Sequence, residues 1–226
     1  MQHREKTTDV QPMDALIADY VAGTLPKPAK TLLDAHLELS GTNASFAMDL
    51  DHLAGIALEQ VKPHAVSNAS AMLDTIFGSE DGDDMHVVTA AKAVAWSSDK
   101  RDWMPVALRA LIGMDAEDIP WRTKLPGFKV FNLAEIDGCE ASLYRIKPGM
   151  AIPTHTHEGR ELTLVLKGGF SDCDGHYKRG DISIADEAVD HRPITDLDEE
   201  CICFAVTEAP LRFANPVTRL ISSILP

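Results

Sequence analysis

Long apolar runs are missing from this sequence. No stretch of about 18 consecutive apolar residues occurs anywhere in it, which excludes a membrane-spanning helix by the usual length criterion. The first residues, MQHREKTTDVQ, are polar and lack the apolar core of a signal peptide. We therefore expect a cytoplasmic protein with no membrane partner.

Cysteine is scarce. The four cysteines all lie in the second half of the chain, and no two have the spacing of a zinc knuckle. A disulfide framework is not expected in a cytoplasmic chain of 226 residues. Cys201 and Cys203 are two positions apart, so on a strand both would face the same way, as buried thiols often do.

Basic residues are in deficit. The chain has 21 lysines and arginines against 35 aspartates and glutamates, a formal net charge of -14. Such a surface repels phosphate backbones, which excludes direct binding of nucleic acid. It would attract a basic partner, although acidity also serves solubility alone.

The first third of the sequence has helical periodicity. Apolar residues recur at spacings of three and four, and proline, glycine or asparagine separates the segments. Four short helices are predicted, and they form a small bundle whose core is barely large enough to make the bundle stable alone. Their apolar positions begin at Met13, Leu32, Phe46 and Met72, and Thr42 or Asn43 is the expected cap of the third helix.

The chain then changes character. The acidic stretch 79–84 predicts a solvated linker, and residues 86–112 fit either strands or a helix packing on the second domain. After about residue 115, short apolar segments alternate with glycine-containing turns, which predicts an antiparallel sandwich or barrel. We expect a helical domain at 1–78, a connector at 79–104 and an all-β domain at 105–226.

The β region carries a candidate metal site. His155 and His157 are two apart on a predicted strand, so both imidazoles can reach one ion, and Glu161 follows after a short turn containing Gly159. His191 would return on a later strand. Three imidazoles and one carboxylate suit a borderline divalent ion such as Zn, Fe, Mn, Ni or Cu. His176, beside a glycine in a predicted hairpin turn, is expected to be exposed to solvent.

These residues resemble the two cupin motifs. The first, G-x5-H-x-H-x3-E-x6-G, fits at every defined position from Gly149 to Gly168. The second fits at Gly180 and His191, but its proline, glycine and asparagine positions hold Asp186, Ala188 and Thr195. The resemblance implies a cupin jelly roll, and with the helical region an α + β multidomain fold.

The whole chain is similar to the ChrR-like anti-sigma factors, a helical anti-sigma domain joined to a C-terminal cupin. The similarity rests on segments 22–25 and 35–37 of the helical region and 160–166, 180–186, 201–203 and 209–213 of the β region. It implies sequestration of an extracytoplasmic-function-type sigma factor until a stress signal, often oxidative, releases it. The sigma factor would bind residues 1–78.

One departure concerns the helical region. The resemblance implies a zinc site there, built from an early histidine and a His-x3-Cys-x2-Cys cluster. This sequence keeps His36, but Ser40 and Asn43 occupy the thiolate positions and Gln11 the early one. Neither serine nor asparagine supplies a thiolate. We therefore expect no zinc in the N-terminal domain.

Two functions remain open at this point. The first is the regulator just described, with one divalent metal in the cupin, zinc first and Fe, Mn or Ni as alternatives. The second is a metal-dependent cupin enzyme, dioxygenase-like, with a helical appendage. No further acid-base group is evident near the ligands in sequence, so no catalytic residue is assigned and the regulator is favoured.

Overall fold

The computed structural model describes residues 12–78, 103–157, 159–185, 192–207 and 211–213. Five α-helices lie within these ranges. They are α1 (Pro12–Val21), α2 (Lys27–Leu39), α3 (Ala44–Glu59), α4 (Ala69–Gly78) and α5 (Val106–Ile112). None of the helices in the described ranges is long and apolar enough to cross a membrane.

Proline and glycine set the helix boundaries. Pro28 lies in the first turn of α2, where the missing N–H has no intrahelical partner to lose. Pro105 precedes α5, and Gly113 ends that helix with a φ of 74°, a conformation that favours glycine. The four predicted N-terminal helices are confirmed as α1 to α4. The helical alternative for residues 86–112 is correct over α5, whereas the part before residue 103 lies outside the described residues.

In the described part of the chain, eleven strands form three antiparallel sheets. The largest has six strands in the order β1-β2-β3-β10-β5-β8, and smaller sheets pair β11 with β4 and β7 with β6 and β9. The helical part followed by a cupin-like β part confirms the predicted fold class. The strands are β1 (Arg122–Leu125), β2 (Phe128–Asn132), β3 (Glu140–Ile146), β4 (His155–His157), β5 (Glu161–Lys167), β6 (Gly169–Ser171), β7 (His176–Lys178), β8 (Ile182–Ala185), β9 (Ile194–Thr195), β10 (Cys201–Thr207) and β11 (Leu211–Phe213).

The two faces of the six-stranded sheet belong to different cores. Successive strand residues point to opposite faces. On β5, Leu162, Leu164 and Leu166 join a core shared with the helices, while Val165 joins a core with the three-stranded sheet. On β10, the even-numbered residues belong to the core shared with the helices, whereas Cys201 and Cys203 belong to the core with the three-stranded sheet. Both faces are covered, which is why every residue of β10 is buried.

Helix α2 contacts β5 and β10 of the six-stranded sheet and also packs on α1 and α5. Leu32 and Leu33 are fully buried in the core that includes β5 and β10. At its start, the Lys27 amide donates a hydrogen bond to Asp137, 3.0 Å away. Near its end, the Glu38 carboxylate accepts hydrogen bonds from the first amides of α5, at 2.8 and 2.9 Å. The β region therefore completes a core that four short helices alone would leave small.

Candidate metal site and partner-binding surface

His155, one of the predicted ligands, is buried. It begins β4, which pairs with β11, and its side chain is 7% exposed. Its Nδ1 lies 2.8 Å from the carbonyl oxygen of Pro153. Because a carbonyl only accepts, Nδ1 carries the proton in this hydrogen bond and the lone pair of the neutral ring lies on Nε2. That tautomer is the one a metal ligand needs when its other nitrogen is held by the backbone.

Glu161 is the buried carboxylate. It is the first residue of β5, between Ala185 of β8 and Thr207 of β10, and is 5% exposed. Its charge acts on two neighbouring groups of the same sheet face. Burial raises the pKa of Tyr144, and the Glu161 carboxylate raises it further. The hydrogen bond between the Cys203 and Cys201 thiols and burial raise the pKa of Cys203, and the Glu161 carboxylate raises it further.

The other two predicted ligands are His157 and His191. His157 ends β4, two residues after His155, and its backbone pairs with Leu211 of β11. His191 lies outside the described residues. His176 is exposed as predicted, and its Nε2 lies 3.0 Å from the carboxylate of Asp196, which directly follows β9.

The donor chemistry of this region fits a divalent metal. A buried carboxylate and a buried imidazole are expensive to desolvate unless they have a charged or polar partner. The imidazole has its Nδ1 held by the backbone, and Glu161 begins β5, the strand that follows β4 along the chain. Imidazole nitrogen and carboxylate oxygen together suit zinc and the other late divalent ions.

The corresponding region of the helices does not fit a metal. His36 is 3% exposed, and both of its ring nitrogens take part in hydrogen bonds. Nδ1 lies 2.6 Å from the carbonyl oxygen of Gly180, and Nε2 lies 3.0 Å from the amide nitrogen of Asn43. Ser40 and Asn43 offer no thiolate, and Gln11 lies outside the described residues.

Of the two caps predicted for the third helix, Thr42 and Asn43, the structure has Asn43 at the start of α3, but its side chain does not cap the helix. It occupies the N-cap position of α3 but makes no side-chain capping hydrogen bond. Its amide group instead donates a hydrogen bond to Nε2 of His36.

An exposed apolar surface extends over the second half of the helical region. Eleven large apolar side chains between residues 46 and 77 are exposed, several by more than half, and α4 has no buried residue. Contiguous exposed apolar area of this kind marks interaction sites. We call this set the α3–α4 surface: Phe46, Met48, Leu53, Ile56, Leu58, Val61, Val66, Met72, Leu73, Ile76 and Phe77.

This location differs from what the helical stripes suggest. The apolar faces of α1 and α2 also lie within residues 1–78, the predicted sigma-binding region, yet Leu16, Ile17, Leu32 and Leu33 are buried in the core. The reason is that the outer face of the six-stranded sheet needs covering, and these stripes cover it. Periodicity reports that a helix has an apolar face but not what that face contacts.

Two smaller features involve charged side chains of the β region. Arg160, directly before Glu161, lies 3.9 Å from Asp19 of α1, so the β4–β5 turn contacts the helical region. Asp172, Cys173 and Asp174 form a cluster of donor atoms that the sequence reasoning missed. Asp172 accepts hydrogen bonds from the amides of Asp174 and Gly175, at 2.9 and 3.2 Å, which gives it a role in the turn before β7.

Known proteins resemble both regions. The family described as "ChrR Cupin-like domain" matches residues 109–210. The anti-sigma-E factor ChrR of Cereibacter sphaeroides is 35% identical over 208 residues, which is 92% of this chain and 93% of that protein. A crystal structure of Rhodobacter sphaeroides SigE in complex with the anti-sigma ChrR aligns with a TM-score of 0.69 and 34% identity, covering 86% of this chain and 96% of that chain.

An RmlC-like cupin protein of Ralstonia eutropha is a more distant structural neighbour. It has 18% identity and a TM-score of 0.38 over 46% of this chain and 71% of that one, too low to carry an argument. The similarity to ChrR, by contrast, extends over the helices and the cupin-like sheets together. That family is of the metal-binding cupin type. The chain belongs to the ChrR family of anti-sigma factors.

Proposed function

We propose that this chain is a cytoplasmic anti-sigma factor that sequesters an extracytoplasmic-function-type sigma factor, with its cupin as the sensor of a stress signal. The observation that carries the proposal is the α3–α4 surface. Apolar side chains exposed by 38% to 82% along two successive helices suit a partner that receives a helix face in a groove. The solved complex of the similar ChrR with SigE identifies the class of partner.

Charge supports the same partner. A sigma factor presents basic surfaces to DNA, and this chain has a net charge of -14. Opposite charge speeds the encounter with such a protein and opposes binding of nucleic acid. We assign the contact to residues 1–78, with residues 79–104 as the connector and 105–226 as the cupin domain.

The partner proposal is tested on the full-length chain with single charges. Leu53→Asp and Leu73→Asp place a carboxylate on the α3–α4 surface, whereas Leu197→Asp does so at an 87% exposed position outside it. We expect the first two to weaken binding to the sigma factor by about 100-fold, because a desolvated carboxylate opposes burial. Leu197→Asp should bind like the unmodified chain.

Binding would be measured by calorimetry, with circular dichroism to show that each variant keeps its fold. Equal affinity of all three variants would contradict the assignment of the surface. Metal-dependent oxygen consumption by the chain, together with absence of sigma binding, would favour the cupin enzyme instead.

We also infer that the cupin holds one divalent ion, zinc, through His155, His157, Glu161 and His191. The ion would hold these side chains, and with them β4, β5 and the segment after β8, in one arrangement. The burial of His155 and Glu161 and the Nδ1 hydrogen bond of His155 support this assignment. The hydrogen bonds of His36 support the absence of zinc from residues 1–78.

Metal analysis of purified variants tests this site. We expect about one ion per chain in the unmodified protein and in His176→Ala, and strong loss in His155→Ala and Glu161→Ala, because each removes one ligand of four. His36→Ala should keep the ion. Equal metal content in every variant would refute the ligand set, and loss in His36→Ala alone would place the metal in the helices.

A further inference from the structure

The contact between the helices and the β region is most specific at His36. Its ring joins residues that are 144 positions apart, since Nδ1 lies 2.6 Å from the carbonyl oxygen of Gly180. The carbonyl can only accept, so Nδ1 bears the proton, and Nε2 of the neutral ring accepts from the amide of Asn43 at 3.0 Å. Both polar atoms of a 3% exposed side chain are therefore satisfied by groups in different parts of the fold.

The β7–β8 turn is shaped for this approach. Gly180 has a φ of +93°, and a Cβ there would lie 3.2 Å from the Cβ of Ser40 and 3.4 Å from that of Leu39. Glycine thus allows the end of α2 to come close to the turn. The turn is itself fixed on β5, because the Gly180 amide donates to the Val165 carbonyl at 2.8 Å.

Asn43 carries the contact to α3. An asparagine at an N-cap ordinarily accepts a hydrogen bond from an amide in the first turn of its helix. Here that bond is missing, and the side chain donates to His36. The beginning of α3 is consequently fixed by a residue whose other nitrogen is bound to the β region.

We propose that His36 is a positioning residue that ties the start of α3 to the β7–β8 turn, so that the β region sets the placement of α3. Two strands that adjoin this turn, β5 through the Gly180–Val165 hydrogen bond and β8 through the chain, are close in sequence to proposed metal ligands. β5 begins at Glu161, and β8 ends at Ala185, six residues before His191. The regulatory consequence, an effect of the cupin on the α3–α4 surface, rests on the proposed function, but the contact itself does not.

Hydrogen–deuterium exchange of the full-length chain without a sigma factor tests the contact. Peptides covering 40–50 and 178–183 are compared with peptides from β3 and β10. We expect His36→Leu to speed exchange in both windows by roughly tenfold, as loss of a buried hydrogen-bond pair allows local opening. His52→Leu, on the exposed part of α3, should leave both windows unchanged.

Two further variants separate this role from a merely structural one. Asn43→Ala should speed exchange in 40–50 without adding to the effect of His36→Leu there, because both remove the same bond. His36→Gln keeps a donor and an acceptor and should be slower than His36→Leu in both windows. Equal acceleration of β3 and β10, additive effects of the two substitutions, or an unchanged 40–50 window would overturn the proposal, and none of these results depends on sigma binding.

Discussion

The two halves of the helical region make opposite use of similar sequences. Helices α1 and α2 place their apolar residues in the core over the six-stranded sheet, with Leu16, Leu32 and Leu33 fully buried. Helix α3 packs on α1 only near its beginning, and α4 buries none of its side chains. An apolar helix face is therefore not evidence of a core, because its role depends on the surface that the rest of the chain provides.

The same comparison shows how far the sequence leads. Proline, glycine and the spacing of apolar residues suffice for α1 to α4, because these signals act within a few residues. The metal motif also places His155 and Glu161 six positions apart, and in the structure they begin the successive strands β4 and β5. The packing of α2 on β5 could not be predicted, since it brings into one core residues about 130 positions apart, such as Leu32 and Leu164.

The shortest strands also could not be predicted from the sequence. β6, β7 and β9 have two or three residues each, too few for a period of two to be recognised. Asn43 was predicted as a cap from its residue type, and only the position of His36 shows why it does not act as one.

The largest expected effect comes from placing one charge in each half of the helical region. Leu33→Asp buries a carboxylate in the core beneath the sheet and should lower the free energy of unfolding by about 3–5 kcal/mol. Leu53→Asp, at a position 59% exposed, should change it by less than about 0.5 kcal/mol. Urea denaturation of both full-length variants measures the difference. Similar losses would mean that α3 and α4 are as much a part of the core as α2.

A smaller effect is expected where α5 joins α2. Glu38→Ala removes the carboxylate that accepts the amides of Val106 and Ala107, at 2.8 and 2.9 Å. Loss of a charged cap at a helix N-terminus costs about 1–2 kcal/mol. Glu59→Ala, at the exposed end of α3, is the matched control and should leave the midpoint of thermal unfolding unchanged. Equal midpoints for the two variants would show that Glu38 does not anchor α5.

The smallest effect is electrostatic and belongs to the sheet. Burial raises the pKa of Glu200, but hydrogen bonds from Arg145 at 2.8 Å and Lys167 at 3.0 Å outweigh it, so that the pKa is lowered. A carboxyl whose pKa is lower in the folded state stabilises the fold above its unfolded pKa of about 4.3, and this contribution is lost as the pH falls through the folded value. Because the three side chains are partly exposed, the contribution at neutral pH should not exceed about 1 kcal/mol.

Glu200→Gln should therefore be less stable than the unmodified chain at pH 7 and approach it below about pH 4 in urea denaturation. The exposed neighbour Glu199, changed to Gln, should follow the unmodified chain at both pH values. A constant difference between Glu200→Gln and the unmodified chain from pH 7 to pH 3 would mean that the ion pairs with Arg145 and Lys167 do not stabilise β10.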